Sequence, residues 1–299
     1  MPPLPRTEPR VITPNLLRDW PLPAAEGDKE SRGRIVVIGG GSETPGAVLL
    51  AAEAALRAGG GKLQVVTGSR IAKQLAVALP EALVRGIPDR ADGSLDPDSA
   101  ELVLELELAS DADVVLIGPG LTGKEPAHAL TASILSGLQA PVVLDALALS
   151  ALTDNPDCVH HLSGDVVLTP SLKELALTVG WSDSQVDDDP APAAVELARR
   201  SRATVTAGGS ASAIAAPDGE LWYDEAGGAG LGVSGSGDVK AGVVTGLLAR
   251  GATPPQAAVW GTYLHGRAGD RLAVEVGKLG YLAREVPAQI PRVLAELEA

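Results

Sequence analysis

An α/β fold on a mostly parallel sheet, with helices covering both faces, is what this chain predicts, and three observations carry it. Short apolar runs rich in β-branched residues recur at 34–38, 62–67, 113–117, 141–144 and 165–168. Strands buried on both faces read as unbroken apolar stretches in this way, whereas half-exposed strands alternate. Segments with helical spacing lie between them, so strand and helix take turns along the chain. Several strand runs also end in turn signals: Gly39-Gly40-Gly41, Gly118-Pro119-Gly120, Asp145-Ala146 and Thr169-Pro170.

Composition bounds the answer. The chain has 299 residues, 45% of them hydrophobic, with a mean hydropathy of +0.16, enough for a large core. Phe is absent and Met occurs once, so Ala, Val, Leu and Ile must build that core. A net charge of −14 and a pI near 4.7 exclude the general electrostatic footprint of a nucleic-acid binder. Any anionic ligand must then be held by local donors. Cys158 stands alone, which excludes an internal disulfide or a multi-cysteine metal site. No basic-then-apolar signal opens the chain, and no uninterrupted apolar run reaches the ~18 residues that a bilayer span needs. The sequence reads as a soluble, cytoplasmic protein with no membrane partner.

The elements follow in order. Residues 1–33 are proline-rich and read as an extended arm, with Leu16, Leu17 and Trp20 available as anchors onto the body or a neighbouring subunit. Residues 34–299 form the body. Pro45 opens a largely buried helix to about Gly59, and another helix follows from about Ser69. Asp187-Asp188-Asp189-Pro190 reads as a solvated loop before a helix near 193–201. Short strands at 203–207, 211–216 and 220–223 come next, and Asp218-Gly219 marks a hairpin that adds an antiparallel edge. Helices at 239–250, 255–276 and about 283–297 complete the chain.

Residues 227–238 organise it. Seven of these twelve residues are Gly or Ala, and glycines at Gly235 and Gly237 allow the positive φ and close approach that let amide N–H groups form an anion nest. A helix begins directly behind, adding unpaired N–H groups and the positive end of its dipole. Asp238 falls at that helix start, as a cap or as a base. Ligands of open α/β sheets bind beyond the carboxyl ends of the strands, so Gly41, Gly120, Asp145 and Pro170 should share one rim with this loop. Asp145 suits Mg²⁺ or substrate and equally a helix cap; His265, in an apolar helix, reads as a core histidine; Lys173 and Glu174 read as residues at a helix start.

The ordered stretches resemble the ribokinase superfamily, and more closely its ADP- or ATP-dependent NAD(P)H-hydrate dehydratases. They are Gly39-Gly40-Gly41-Ser42 with Thr44-Pro45-Gly46-Ala47, Ile117-Gly118-Pro119-Gly120-Leu121, Val143-Leu144-Asp145-Ala146, Leu168-Thr169-Pro170 with Glu174, Gly235-Ser236-Gly237-Asp238 with Ala241-Gly242, and Tyr263-Leu264-His265-Gly266. The resemblance implies a ribokinase-like three-layer sandwich. It implies repair of hydrated NAD(P)H, with ADP or ATP as co-substrate and Mg²⁺ present: the hydrate hydroxyl is phosphorylated, and loss of phosphate restores the ring double bond. Asp238 would be the catalytic base, with Ala47, Gly120, Ser171 and Asp238 at the hydrate. Ala207, Gly208, Gly209, Ser210 and Ala211, with Gly235, Ser236 and Gly237, would meet the nucleotide. A homotetramer is implied as well. Four positions depart from the family pattern: Ser171 replaces a His, Ala207 a Lys, Gly228 an Asn and Val233 a Lys, removing donors and positive charge. A small-molecule kinase of the same superfamily and a nucleotide-binding protein without turnover are the competing readings.

Overall fold

Ile35 and Val37 belong to one apolar cluster, Val36 and Ile38 to another, and all four are buried. The same division separates Leu116 from Ile117, Val143 from Val142 and Leu144, and Val167 from Val166 and Leu168. Successive strand residues point to opposite faces, so these unbroken apolar runs place a sheet between two cores. The computed structural model describes residues 8–24, 28–106, 111–209 and 211–298.

The chain order begins with β1 (Arg10–Val11), α1 (Pro14–Asp19), β2 (Arg34–Ile38), α2 (Pro45–Arg57), β3 (Lys62–Gly68), α3 (Ser69–Ala78), β4 (Ala82–Ile87) and α4 (Ala100–Glu105). It continues with β5 (Val114–Ile117), α5 (Lys124–Gly137), β6 (Val142–Leu144), α6 (Ser150–Thr153), β7 (Val166–Leu168), α7 (Leu172–Val179), α8 (Asp183–Asp188) and α9 (Ala191–Ser201). Strands β8 (Thr204–Ala207), β9 (Ser212–Ala215) and β10 (Leu221–Asp224) precede the glycine loop. Helices α10 (Ser236–Ala249), α11 (Pro254–Glu275) and α12 (Ile290–Glu298) follow it.

The sheet order is β1-β10-β9-β8-β7-β6-β5-β2-β3-β4. Strand β9 runs antiparallel to both neighbours, as the Asp218-Gly219 hairpin leads one to expect, and the other pairings are parallel. The chain walks outward from β2 through β3 to β4, then returns to place β5 on the other side of β2. The carboxyl ends of β2 and β5 therefore flank a topological switch point, where open α/β sheets bind ligands.

Helices α2, α10 and α11 cover one face, through Val48, Ala51, Val243, Leu247 and Leu264; α5 and α9 cover the other through Leu130, Ile134 and Leu197. Helices α2 and α10 pack backbone to backbone, because methyl groups at Gly242 and Gly246 would overlap the carbonyl oxygens of Ala51 and Ala55. At the β1 edge, Thr13 caps α1, Leu17 is fully buried, and Trp20 stacks on Trp222 with ring centroids 6.0 Å apart.

Two local expectations are corrected. Asp187 and Asp188 end helix α8 instead of lying in a loop, because Ser182 and Gln185 form a capping box that starts a helix there. The stretch from 283 is not one helix: 3₁₀ turns at Ala283–Glu285 and Pro287–Gln289 precede α12. Pro287 has no N–H to continue an α ladder.

Candidate active site

The loops after β2 and β5 are stitched together at the switch point. The N–H groups of Gly40 and Gly41 donate to Pro119 O and Gly120 O at 2.9 and 2.6 Å, and Thr44 Oγ1 donates to Gly120 O at 2.7 Å. Ala47, one turn into α2, lies directly against Gly120, since a methyl on Gly120 would stand 3.0 Å from Ala47 Cβ. These two residues, expected at the hydrate, thus touch beyond the carboxyl ends of β2 and β5, where the crevice of an open α/β sheet lies at its switch point.

Beside it a cavity of about 790 Å³ opens beyond β6, β7 and β8, roofed by the glycine loop and floored by α10 and α11. Asp145, Thr169, Pro170, Ser171, Gly208, Gly209, Ser236, Gly237 and Asp238 all line it. Of the residues expected on one rim, Asp145 and Pro170 line this cavity with the glycine loop, whereas Gly41 and Gly120 do not. Asp145 is linked to the crevice through the close approach of Gly118 to its backbone. Ala207 ends β8 beneath the turn and is buried. Ser210 lies outside the described residues.

The start of α10 explains the anion preference. Gly235 precedes the helix with φ +93°, a conformation natural to glycine. Positive φ falls on Gly235 and not on Gly237, which is helical; a side chain at Gly237 would point into open space. The N–H of Ser236 donates to Val233 O at 3.1 Å. Those of Gly235 and Gly237 have no acceptor among the described residues, and they supply the free donors of the helix start. Asp238 sits at the third helical position, half-buried, and burial pushes its carboxyl up to about 6. An acid poised near neutrality, beside free amides on an open cavity, is suited to accept a proton from a hydroxyl.

Three further acids surround the cavity. Burial pushes Asp145 up to about 7, against the hydrogen bond that Thr169 Oγ1 donates to its Oδ1 at 2.6 Å. Burial also lifts Asp224 to about 7. Glu174 is held in a capping box: its Oε2 accepts from Ser171 N at 2.8 Å, while Ser171 Oγ accepts from Glu174 N at 3.3 Å. Ser171, where the resemblance leads one to expect His, thus starts α7. His265 is buried and shares a 3.0 Å hydrogen bond with Ser236 Oγ; burial and then Lys240 push its imidazole down to about 3. A neutral, satisfied histidine at the cavity floor agrees with the core reading.

Three cavity or near-cavity residues escape sequence reasoning: Thr169 as partner of Asp145, Asp224 at the end of β10, and Lys240. Lys240 carried a visible signal. It is the one charge inside an otherwise apolar helical run from Val239 to Leu248, and it is 7% exposed.

A mostly parallel sheet of this order with helices on both faces is a ribokinase-like fold. A ribokinase-like superfamily protein from Enterococcus faecalis shares the fold, with a TM-score of 0.78 at 23% identity. Residues 35–292 match the NAD(P)H-hydrate dehydratase family, and the chain belongs to it. It is 42% identical over 288 residues to an ADP-dependent (S)-NAD(P)H-hydrate dehydratase of Xanthomonas campestris, covering 96% of this chain and 97% of that one. It is 34% identical to a bifunctional NAD(P)H-hydrate repair enzyme of Moorella thermoacetica, of whose length it spans 52%. An ADP/ATP-dependent NAD(P)H-hydrate dehydratase of Bacillus subtilis, co-crystallised with ATP and Mg²⁺, superposes with a TM-score of 0.82 at 29% identity, covering 96% of this chain and 98% of that one.

Proposed function

We propose that this chain catalyses the ADP-dependent dehydration of (S)-NAD(P)H hydrate, with ATP as an alternative donor. The observation that carries this reading is Asp238, set at the third position of a helix beside the free N–H of Gly237, both lining a cavity of about 790 Å³. Asp238 takes the hydroxyl proton of the hydrate as its oxygen attacks the terminal phosphorus. The amides of Gly235 and Gly237 steady the charge on the transferring group, and AMP departs from ADP, or ADP from ATP. The ring nitrogen then expels phosphate from carbon, and loss of a proton from the adjacent carbon completes the double bond. Hydrate plus ADP becomes NAD(P)H, AMP and phosphate.

The crevice at Ala47 and Gly120 supports close approach by a flat ring, and the turn from Ala207 to Ala211 supports the nucleotide. Among the described residues no cluster of three or more ligating side chains forms a metal cage. Mg²⁺ needs only one or two carboxylates beside substrate phosphates. Glu174 and Asp145 meet that need: each lines the cavity and has one carboxylate oxygen engaged by a described neighbour. The metal, when bound, neutralises phosphate charge. The same reading includes a homotetramer, supported by the exposed Val274, Val276 and Leu279 at the end of α11. It includes a cytoplasmic site of action.

The test is direct. Enzyme with ADP, Mg²⁺ and hydrated NADH or NADPH should regenerate the absorbance of reduced nicotinamide and release AMP and phosphate. Accumulation of a phosphorylated alcohol without recovery of absorbance would replace this reading with that of a small-molecule kinase.

A further inference from the structure

Lys240 lies two residues past the proposed base, on a helix buried almost all round. Its ammonium ends beneath the turn after β8. Nζ donates to Thr206 O at 3.3 Å, and a methyl group on Gly208 would come within 3.4 Å of it. An ammonium has three donors, and among the described residues this is the single acceptor engaged. Burial lowers its pKa, and Asp145, Glu174 and Asp224 oppose that and favour the ammonium, yet Thr206 O is the one polar contact made by Nζ among the described residues. A buried charge with open donors is expensive unless something completes its shell. Lys240 lines the cavity, so the completing group can come from a ligand.

The charge pattern says what kind. Asp145, Glu174, Asp224 and Asp238 line the cavity, and Lys240 is its one Lys or Arg among the described residues. His265 is neutral, because burial holds its pKa far below neutrality. The turn itself, Ala207, Gly208, Gly209, Ser210 and Ala211, carries no cationic side chain. A polyphosphate entering this acidic space therefore has the amides of the helix start on one side and one ammonium below.

We propose that Lys240 is a nucleotide-binding residue whose ammonium holds the distal phosphate of the nucleoside di- or triphosphate from the cavity floor. This rests on the functional reading given above and adds the residue that distinguishes a diphosphate from a monophosphate.

Calorimetry of the full-length wild type, Lys240→Met and Lys240→Arg with adenosine, AMP and ADP at fixed Mg²⁺ tests the assignment. The wild type should bind ADP more tightly than AMP. Lys240→Met should lose about 10- to 100-fold in ADP affinity, the scale of a charged hydrogen bond. Its AMP and adenosine affinities should change less than about 3-fold, and Lys240→Arg should recover part of the loss. An ADP affinity in Lys240→Met within about twofold of the wild type, or an equal loss for all three ligands, overturns the assignment. Should Lys240→Met not fold, a wild-type ADP:AMP affinity ratio near one overturns it equally. A wild type that binds none of these ligands refutes the functional reading and this assignment together, whereas undiminished ADP binding in the variant refutes the assignment alone.

Discussion

The crevice at Ala47 and Gly120 and the cavity at Gly208 and Asp238 adjoin, yet they are built in opposite ways. The crevice is held by backbone bonds between two loops, with small residues at its surface. The cavity gathers four acids and one lysine, with burial shifting Asp145, Asp224, Asp238 and Lys240 toward their neutral forms. One half offers shape and leaves charge alone; the other concentrates titratable groups in low dielectric, where proton and phosphate chemistry is tuned. Under the proposed function, the division teaches that recognition and reaction use different structural materials, main chain in one and ionisable side chains in the other.

The largest expected effect removes the base. Asp238→Asn should reduce turnover by about 10²- to 10⁴-fold while calorimetry finds ADP affinity little changed. In the wild type, kcat/KM should climb with pH through about 6, because Asp238 must lose its proton to act and burial holds that proton up to about 6. Full activity in the variant, or a rate flat across that range, removes Asp238 from the role.

A paired substitution then asks whether the halves are separable. Gly237→Val places a side chain in the open space facing the cavity and should weaken ADP binding by about tenfold or more. Ala47→Leu fills the crevice against Gly120 and should raise the KM for hydrate by about tenfold, leaving ADP affinity intact. If each variant damages both ligands equally, the two regions are one site and the comparison collapses.

The smallest effect concerns stability. Asp224 is 2% exposed, and its carboxyl is raised from the ordinary 3.8 to about 7. Between those values the folded protein keeps a proton that the unfolded chain has lost, so stability falls as pH rises toward 7 and stays reduced above it. Asp224→Asn should therefore raise the melting temperature by about 2–4 °C at pH 8 and change it little near pH 4. An equal shift at both pH values would show that ionisation is not the cause.

Much of this was legible in the chain. The strands β2, β3, β5, β6 and β7 announce themselves because both faces are buried, so the residues need no partner to be recognised. Edge strands do not. Val11 of the two-residue β1 is 54% exposed and Leu83 of β4 43%, and neighbouring strands create both elements more than local propensity does. Asp238 and its loop stood out through glycine density. Asp224 and Thr169 did not, since an acid or a threonine at a strand end acquires meaning only from which strand lies alongside. Lys240 gave a clue as a charge in an apolar run, but its direction depends on Thr206 O of β8 lying within reach of its Nζ. Of the two glycines expected to allow positive φ, Gly235 takes it and Gly237 does not, because spacing alone does not say which glycine precedes the helix.

The contact of Gly242 and Gly246 with Ala51 and Ala55 has one more consequence. Helix α2 carries Ala47 and helix α10 carries Asp238, and the separation of these helices is set by main chain touching main chain. Most side chains elsewhere in the core are Val, Leu, Ile and Ala, with Trp222, Trp260 and Tyr281 among them, and near-isosteric swaps such as Ile for Leu change volume little. Such exchanges leave a backbone contact where it was. Two glycines thus act as a gauge block for the spacing of Ala47 and Asp238, and near-isosteric exchange in the aliphatic interior around them leaves that spacing alone.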